Sequence, residues 1–272
     1  MKLLIISDVH AGESRESTSH SGIIRQANSI ALKELSQLVP LFNQIKPDLV
    51  FQMGDLIRET DENNQNRLLF SNSIEVFKQI ISPAVHLIGN HELRGLSETD
   101  LQNLLPNQSY GLQELEDFQL IWLGVEMKNS KFVFPQDQLN WLGTVIKSNK
   151  KILIFSHFSI NEQNDVDNFY FDGKPEKFVY ANSQEIMNIL SDKHVLASFS
   201  ANAHWAGYKF DVFHHISLPS FSEHIMKSER EDISPGVYVI IEDKNDFLII
   251  KGYSGKFCFL NIELPFEPNI LV

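Results

Sequence analysis

The stretch Lys2-Leu3-Leu4-Ile5-Ile6-Ser7-Asp8-Val9-His10 decides the fold, because its apolar run ends at once in two side chains that bind cations. The arrangement recurs along the chain. Asp48 to Met53 leads into Gly54-Asp55, and Ala84 to Ile88 leads into Gly89-Asn90-His91-Glu92. Ile152 to Ser156 ends in His157, and Val195 to Ser200 runs into Ala201-Asn202-Ala203-His204. Short apolar runs bounded by turn residues read as buried strands. Strands that each end in oxygen or nitrogen donors deliver those donors to one edge of a sheet, which is what a two-metal site requires. A lone Asp-x-His or Gly-Asp is an ordinary strand-end turn. The ordered set is not.

Between these strands the first half of the chain predicts helices. Ile24, Ala27, Ala31, Leu35 and Leu38 recur at three- and four-residue spacing after a polar, Ser-rich loop at Ser14 to Ser21. Pro40 is expected to kink or end that helix. Asn63 to Ile81 predicts a second helix with Leu68, Leu69, Ile74, Phe77 and Ile80 as core positions. Strands alternating with helices favour parallel pairing through βαβ crossovers. The second half predicts strands at Phe118 to Val125 and Lys151 to Ser156, with helices at Gln136 to Ser148 and Ser183 to Leu190, the latter capped by Ser183. Asn161 to Lys177 is a long polar stretch interrupted by Phe169, Tyr170 and Phe171. Strands follow at Tyr208 to Phe213, Gly236 to Ile241, Phe247 to Lys251 and Lys256 to Ile262. No linker, repeat or low-complexity tract divides the chain, so one domain over residues 1–272 is expected, with two packed sheets and helices outside.

The five blocks, in this order over about 200 residues, resemble the calcineurin-like metallophosphoesterases. The resemblance implies an α/β fold (α+β under some schemes), a four-layer β-sandwich flanked by helices, with two divalent metals at the strand ends. By that resemblance Asp8, His10 and His204 bind the first metal, Asn90 and His157 bind the second, and Asp55 bridges both. His91 stands outside the ligand set and faces the scissile phosphate as a catalytic group beside Asp55. It also implies hydrolysis of a small phosphodiester, nucleotide diphosphate or phosphomonoester, by in-line attack of hydroxide generated at the metals. Trp205, Ala181-Asn182-Ser183 and Leu218-Pro219-Ser220 resemble the branch that includes manganese-dependent ADP-ribose and CDP-alcohol diphosphatases.

One block departs from the family pattern. Gly-His-x-His is usual where this chain has Ala201-Asn202-Ala203-His204. Asn202 offers an amide oxygen in place of an imidazole, and Ala201 lacks glycine's freedom in a tight turn. The first site is therefore expected to be complete and the second to hold its ion weakly. Mn²⁺ is favoured over Fe, Mg²⁺ or Zn²⁺, since an amide oxygen suits harder ions. A rival reading, a catalytically impaired member of the fold that serves as a ligand- or partner-binding scaffold, is favoured by Asn202 alone. The retained His91 and first-metal ligands weigh against it.

Arg58, three residues after Asp55, and Arg94, two after Glu92, are the candidate phosphate contacts. His20, His86, His194, His214, His215 and His224 lie in no motif and are assigned to structure or solvent. The formal charge of −12 argues against a nucleic-acid surface, which needs clustered Lys and Arg, and leaves a small phosphorylated substrate held by metals. Cys258 is the only cysteine, so neither an intrachain disulfide nor a cysteine-rich zinc site is available. Leu3 to Ile6 is too short for a signal-peptide core and no run reaches the roughly 18 apolar residues of a membrane span. The expected location is the cytoplasm.

Overall fold

The computed structural model describes residues 1–19, 22–146, 149–162, 174, 177–226 and 236–266, with backbone alone at 15–19, 22–26 and 224–226. A first six-stranded sheet runs β17 (Phe257–Pro265), β16 (Phe247–Ser254), β15 (Val237–Lys244), β1 (Lys2–Ile6), β4 (Leu49–Gln52) and β5 (Ala84–His86). A second runs β12 (Gly207–Phe210), β13 (His214–Ser217), β11 (Val195–Ser200), β10 (Lys151–Ser156), β7 (Phe118–Leu123) and β6 (Gly111–Leu115). Strands β14 (Glu223–Met226), β3 (Gly22–Gln26) and β2 (Arg15–Ser19) form a small third sheet, and β8 (Glu126–Lys128) pairs with β9 (Lys131–Val133). The helices are α1 (Asn28–Ile45), α2 (Asn63–Phe77), α3 (Asn90–Gly95), α4 (Glu98–Leu104), α5 (Gln136–Val145) and α6 (Ser183–Leu190).

Strands β1, β4 and β5 pair in parallel, as do β10 and β11, so within each sheet the donor-bearing ends share an edge. Strand period two then divides the apolar residues between two cores. Leu3, Ile5, Phe51, Leu153, Phe155 and Phe199 fill the space between the sheets, while Leu4, Ile6, Val50, Ile152 and Ile154 join helix residues such as Leu35, Phe42, Ile74, Leu142 and Ile186 outside. The order is helices, sheet, sheet, helices. At the centre Phe155 stacks on Phe51 at 3.9 Å and on Phe199 at 5.3 Å. Phe155→Ala is expected to cost about 3–5 kcal/mol, because neighbours on two sheets cannot collapse into the space. Denaturant unfolding followed by circular dichroism measures it.

Several expectations need correction. The first helix begins at Asn28 rather than Ile24, because Gly22–Gln26 is strand β3, paired on one side with β2 and on the other with β14. Two adjacent β-branched residues with a partner strand on each side favour the sheet. Residues Arg15–Ser19, expected as loop, supply one of those partners. Pro40 does not end α1, which continues to Ile45 with Val39 and Phe42 buried. Pro40 and Ser36, whose carbonyl loses its bond, are both exposed, so water serves that carbonyl. Leu68 is 60% exposed, and Phe70 and Ile74 take the buried face of α2 instead. Tyr208 to Phe213 is not one strand: β12 ends at Phe210 and the chain turns through Asp211 into β13. Asn182, not Ser183, precedes α6, and its side chain bonds the Phe134 backbone rather than capping the helix. Most of Asn161 to Lys177, with Phe169, Tyr170 and Phe171, lies outside the described residues, as do the His20 and His224 side chains.

Candidate metal centre

The donor-bearing strand ends close on one another in unusual backbone conformations. Asp8, His10, Asp55, Asn202 and His204 have φ of 51°, 49°, 50°, 58° and 57°, in the left-handed region that side chains seldom enter. Each costs on the order of 1 kcal/mol or more, and such strain persists only where surrounding contacts hold it. Here the contacts are explicit. The His10 N–H donates to the Asp55 carbonyl at 2.9 Å and the Asp8 N–H to that of Gly54 at 3.3 Å. Glu92, fully buried, accepts N–H bonds from Asp55, Leu56, Ile57 and Gly89 at 2.7–3.1 Å, clamping the Gly54 turn to the start of α3. Burial and the adjacent Asp55 charge push the Glu92 carboxyl up to about 7, against the pull of those donors. Gly89 is required by close approach: a Cβ there would lie 2.2 Å from Asp55 Oδ1.

Four side chains form one donor cluster. Single donor atoms of Asp8, His10, Asp55 and His204 lie within 4.8 Å of one another. His204 Nε2 stands 3.0 Å from His10 Nε2 and 3.3 Å from Asp8 Oδ1, and His10 Nε2 stands 3.9 Å from Asp55 Oδ2. Bonds of about 2.0–2.2 Å to one ion separate its donors by roughly 3–4 Å, so this spacing fits a divalent cation. A second group adjoins it. His157 Nε2 lies 3.4 Å from Asp55 Oδ2 and 3.3 Å from Asn90 Oδ1, and its Nδ1 faces the Met53 carbonyl at 2.8 Å. Asp55 Oδ2, between the two groups, is buried without a hydrogen-bond partner. An orphaned carboxylate oxygen flanked by imidazoles fits a bridging ligand.

The electrostatics match the crowding. Burial lowers the basicity of His10, and the neighbouring His91 lowers it further. Burial opposes charge on His157, yet the Asp55 carboxylate overcomes it and holds this imidazole up to about 9. His204 is likewise held well above its ordinary value, burial being outweighed by Glu223 and Asp8. Asp55, despite burial, is held well below the usual carboxylate range by His157 and His91.

The remaining expected residues divide into near and peripheral. The His91 N–H donates to Asp55 Oδ1 at 2.8 Å, its Nε2 lies 3.8 Å from Asp55 Oδ2, and its Nδ1 pairs with Glu59. Arg58 reaches His91, with Nη1 3.4 Å from Nε2. Arg94 is half-exposed, 4.0 Å from Glu59 and over the Phe132 ring. Asn202 donates its backbone N–H to Asp8 Oδ1 at 3.3 Å, while its side-chain Nδ2 is buried without a partner. Ala201 takes no left-handed angle; the turn places that demand on Asn202, a residue that tolerates it. His86 packs edge-on to Phe77, His214 and His215 are buried in hydrogen bonds, and His194 is exposed.

Residues 1–249 match the sequence profile of the calcineurin-like phosphoesterases. The chain belongs to that family. Its members are metal-dependent phosphoester hydrolases with divalent ions in a dinuclear site. A search of curated protein sequences found no match. Among solved structures, a dimetal phosphatase from Danio rerio aligns with a TM-score of 0.74 at 15% identity, covering 98% of this chain and 99% of that one. A purple acid phosphatase from yellow lupin (Lupinus luteus) seeds aligns with a TM-score of 0.61 at 10% identity, covering 97% of this chain and 53% of that one. Both likenesses concern the fold. No helix among the described residues is long and apolar enough to cross a membrane.

Two carboxylates of this phosphoesterase carry no sequence signal. Glu59 pairs with His91, and Glu223 pairs with His204 from a strand in another sheet. Glu59 lies four residues beyond Asp55, which nothing in the local pattern marks. Glu223 has no motif around it.

Proposed function

We propose that the chain, as one catalytic domain in the cytoplasm, hydrolyses a small phosphodiester, nucleotide diphosphate or phosphomonoester with Mn²⁺ as the preferred ion. Asp8, His10, Asp55 and His204 would hold the first ion, and Asp55, Asn90 and His157 the second, with Asn202 a poor fourth donor. The observation that carries this reading is the buried Asp55 Oδ2, without a hydrogen-bond partner and flanked by imidazoles, between two sets of donors. Bound there, divalent ions would neutralise phosphate charge and activate water near neutral pH. The chain's own groups do the rest. Glu59 keeps the His91 Nδ1 proton in place, and with a second proton on Nε2, which faces the Asp55 side, the ring would have one to give to the leaving oxygen. Arg58, beside that nitrogen, would meet non-bridging phosphate oxygens.

Metal analysis combined with a phosphoester panel in added Mn²⁺ tests the reading, and metal uptake without turnover on any phosphoester would favour the scaffold. The same titration tests Asn202. Protein prepared without added metal is expected to retain one ion, with activity rising steeply as Mn²⁺ is added. Asn202→His should tighten the second site by at least the effect of an outer-shell partner, about 10–100-fold, and flatten that rise. Histidine tolerates the left-handed backbone needed there, as His10 and His204 already do. Two firmly held ions in the unaltered protein would show that Asn202 does not limit the second site.

A further inference from the structure

The segment Leu218–Glu223 crosses behind the metal centre and is tied to it at every step. The Leu218 N–H donates to the Ser200 carbonyl at 2.8 Å and the Phe221 N–H to that of Ser7 at 2.7 Å. Ser220 and Ser222 donate their hydroxyls to the Asp8 carbonyl at 2.9 and 3.4 Å. Glu223, at the start of β14, then places Oε2 2.5 Å from His204 Nδ1. Its side chain is 2% exposed, and a carboxylate so buried needs a charged or hydrogen-bonding partner.

We infer that Glu223 is a positioning residue for the first metal: it fixes the proton of His204 on Nδ1 and aims the Nε2 lone pair at the Asp8–His10–Asp55 cluster. Only one side of the imidazole faces that cluster, where Nε2 lies 3.3 Å from Asp8 Oδ1 and 3.0 Å from His10 Nε2. A carboxylate on the far nitrogen also raises the donor strength of the ring. The comparison with the second site is direct. His157 faces a neutral carbonyl, that of Met53, through the corresponding nitrogen, and His10 Nδ1 is buried without a partner. Among these ligand histidines the anionic partner stands behind the first site, so Glu223 widens the affinity gap that Asn202 opens from the other side. The strap holds Asp8 and His204 together, both in left-handed conformations, and so links the ends of β1 and β11.

The inference rests on reading Asp8, His10, Asp55 and His204 as metal ligands, and the test separates the two. Metal-free wild type, Glu223→Gln and Glu223→Met are titrated with Mn²⁺, free ion being followed by electron paramagnetic resonance. Wild type is expected to bind one ion tightly, Glu223→Gln about 10-fold and Glu223→Met about 100-fold more weakly. The visible spectrum of the Co²⁺-loaded protein should shift in Glu223→Gln, while its metal-free far-UV circular dichroism stays that of wild type. Wild-type affinity with an unshifted Co²⁺ spectrum in Glu223→Gln would overturn the inference, whether or not Glu223→Met folds. Failure of wild type itself to take up Mn²⁺ would overturn the metal reading instead.

Discussion

Asparagine in place of Asp55 is expected to lower phosphoester hydrolysis by about 10³-fold or more, the equivalent of several kcal/mol of lost metal-based stabilisation. The substitution is informative because it disturbs little else. The amide oxygen can still accept the His91 N–H that Oδ1 accepts at 2.8 Å. The other position becomes an NH₂ group facing His157 Nε2 and His10 Nε2, where Oδ2 now lies 3.4 and 3.9 Å away. A donor cannot bridge cations. Both donor groups lose their shared member, and metal content measured by elemental analysis should fall at both sites together. Stability supplies an independent reading. A ligand at a hundred times its dissociation constant stabilises the folded state by about 2.7 kcal/mol, so Mn²⁺ should raise the melting temperature of wild type and not that of Asp55→Asn. If Asp55→Asn kept two ions, the bridging assignment would be wrong.

That the candidate donors could be picked out from sequence follows from where they lie. These side chains sit within one to four residues of strand ends, so Asp8, His10, Asp55, Asn90, His157 and His204 are each announced by the apolar run before them. The strands are buried on both faces, so the runs are continuous and easily seen. What supports these donors is not local. Glu223 reaches His204 from β14, and the pairing of β14 with β3 depends on chain segments about two hundred residues apart. Distant pairing with β14, added to the local hairpin with β2, makes Gly22–Gln26 a strand where a first turn of helix is expected. Conversely, Pro40 breaks a local rule inside α1 and is tolerated, because Val39 and Phe42 are packed and the affected turn faces water. Tyr208 to Phe213 looks like a continuous strand by composition, but Asp211 accepts the N–H groups of Val212 and Phe213 and folds the segment into a turn.

His91→Ala is expected to lower kcat by about 10²–10⁴-fold while leaving metal content intact. The imidazole is absent from the donor cluster, and the backbone N–H that orients Asp55 survives the change. Glu59→Gln, which keeps an acceptor for Nδ1 but removes the charge behind it, should produce a smaller loss in the same direction. The leaving group decides between two roles for the ring. A general acid matters most when the departing oxygen is a poor leaving group, so the loss in His91→Ala should be large for alkyl phosphoesters and shrink for nitrophenyl ones. An equal loss across the series would mean that His91, with Arg58 beside it, acts by stabilising charge in the transition state rather than by moving a proton. A loss of bound metal would place His91 among the ligands and overturn both roles.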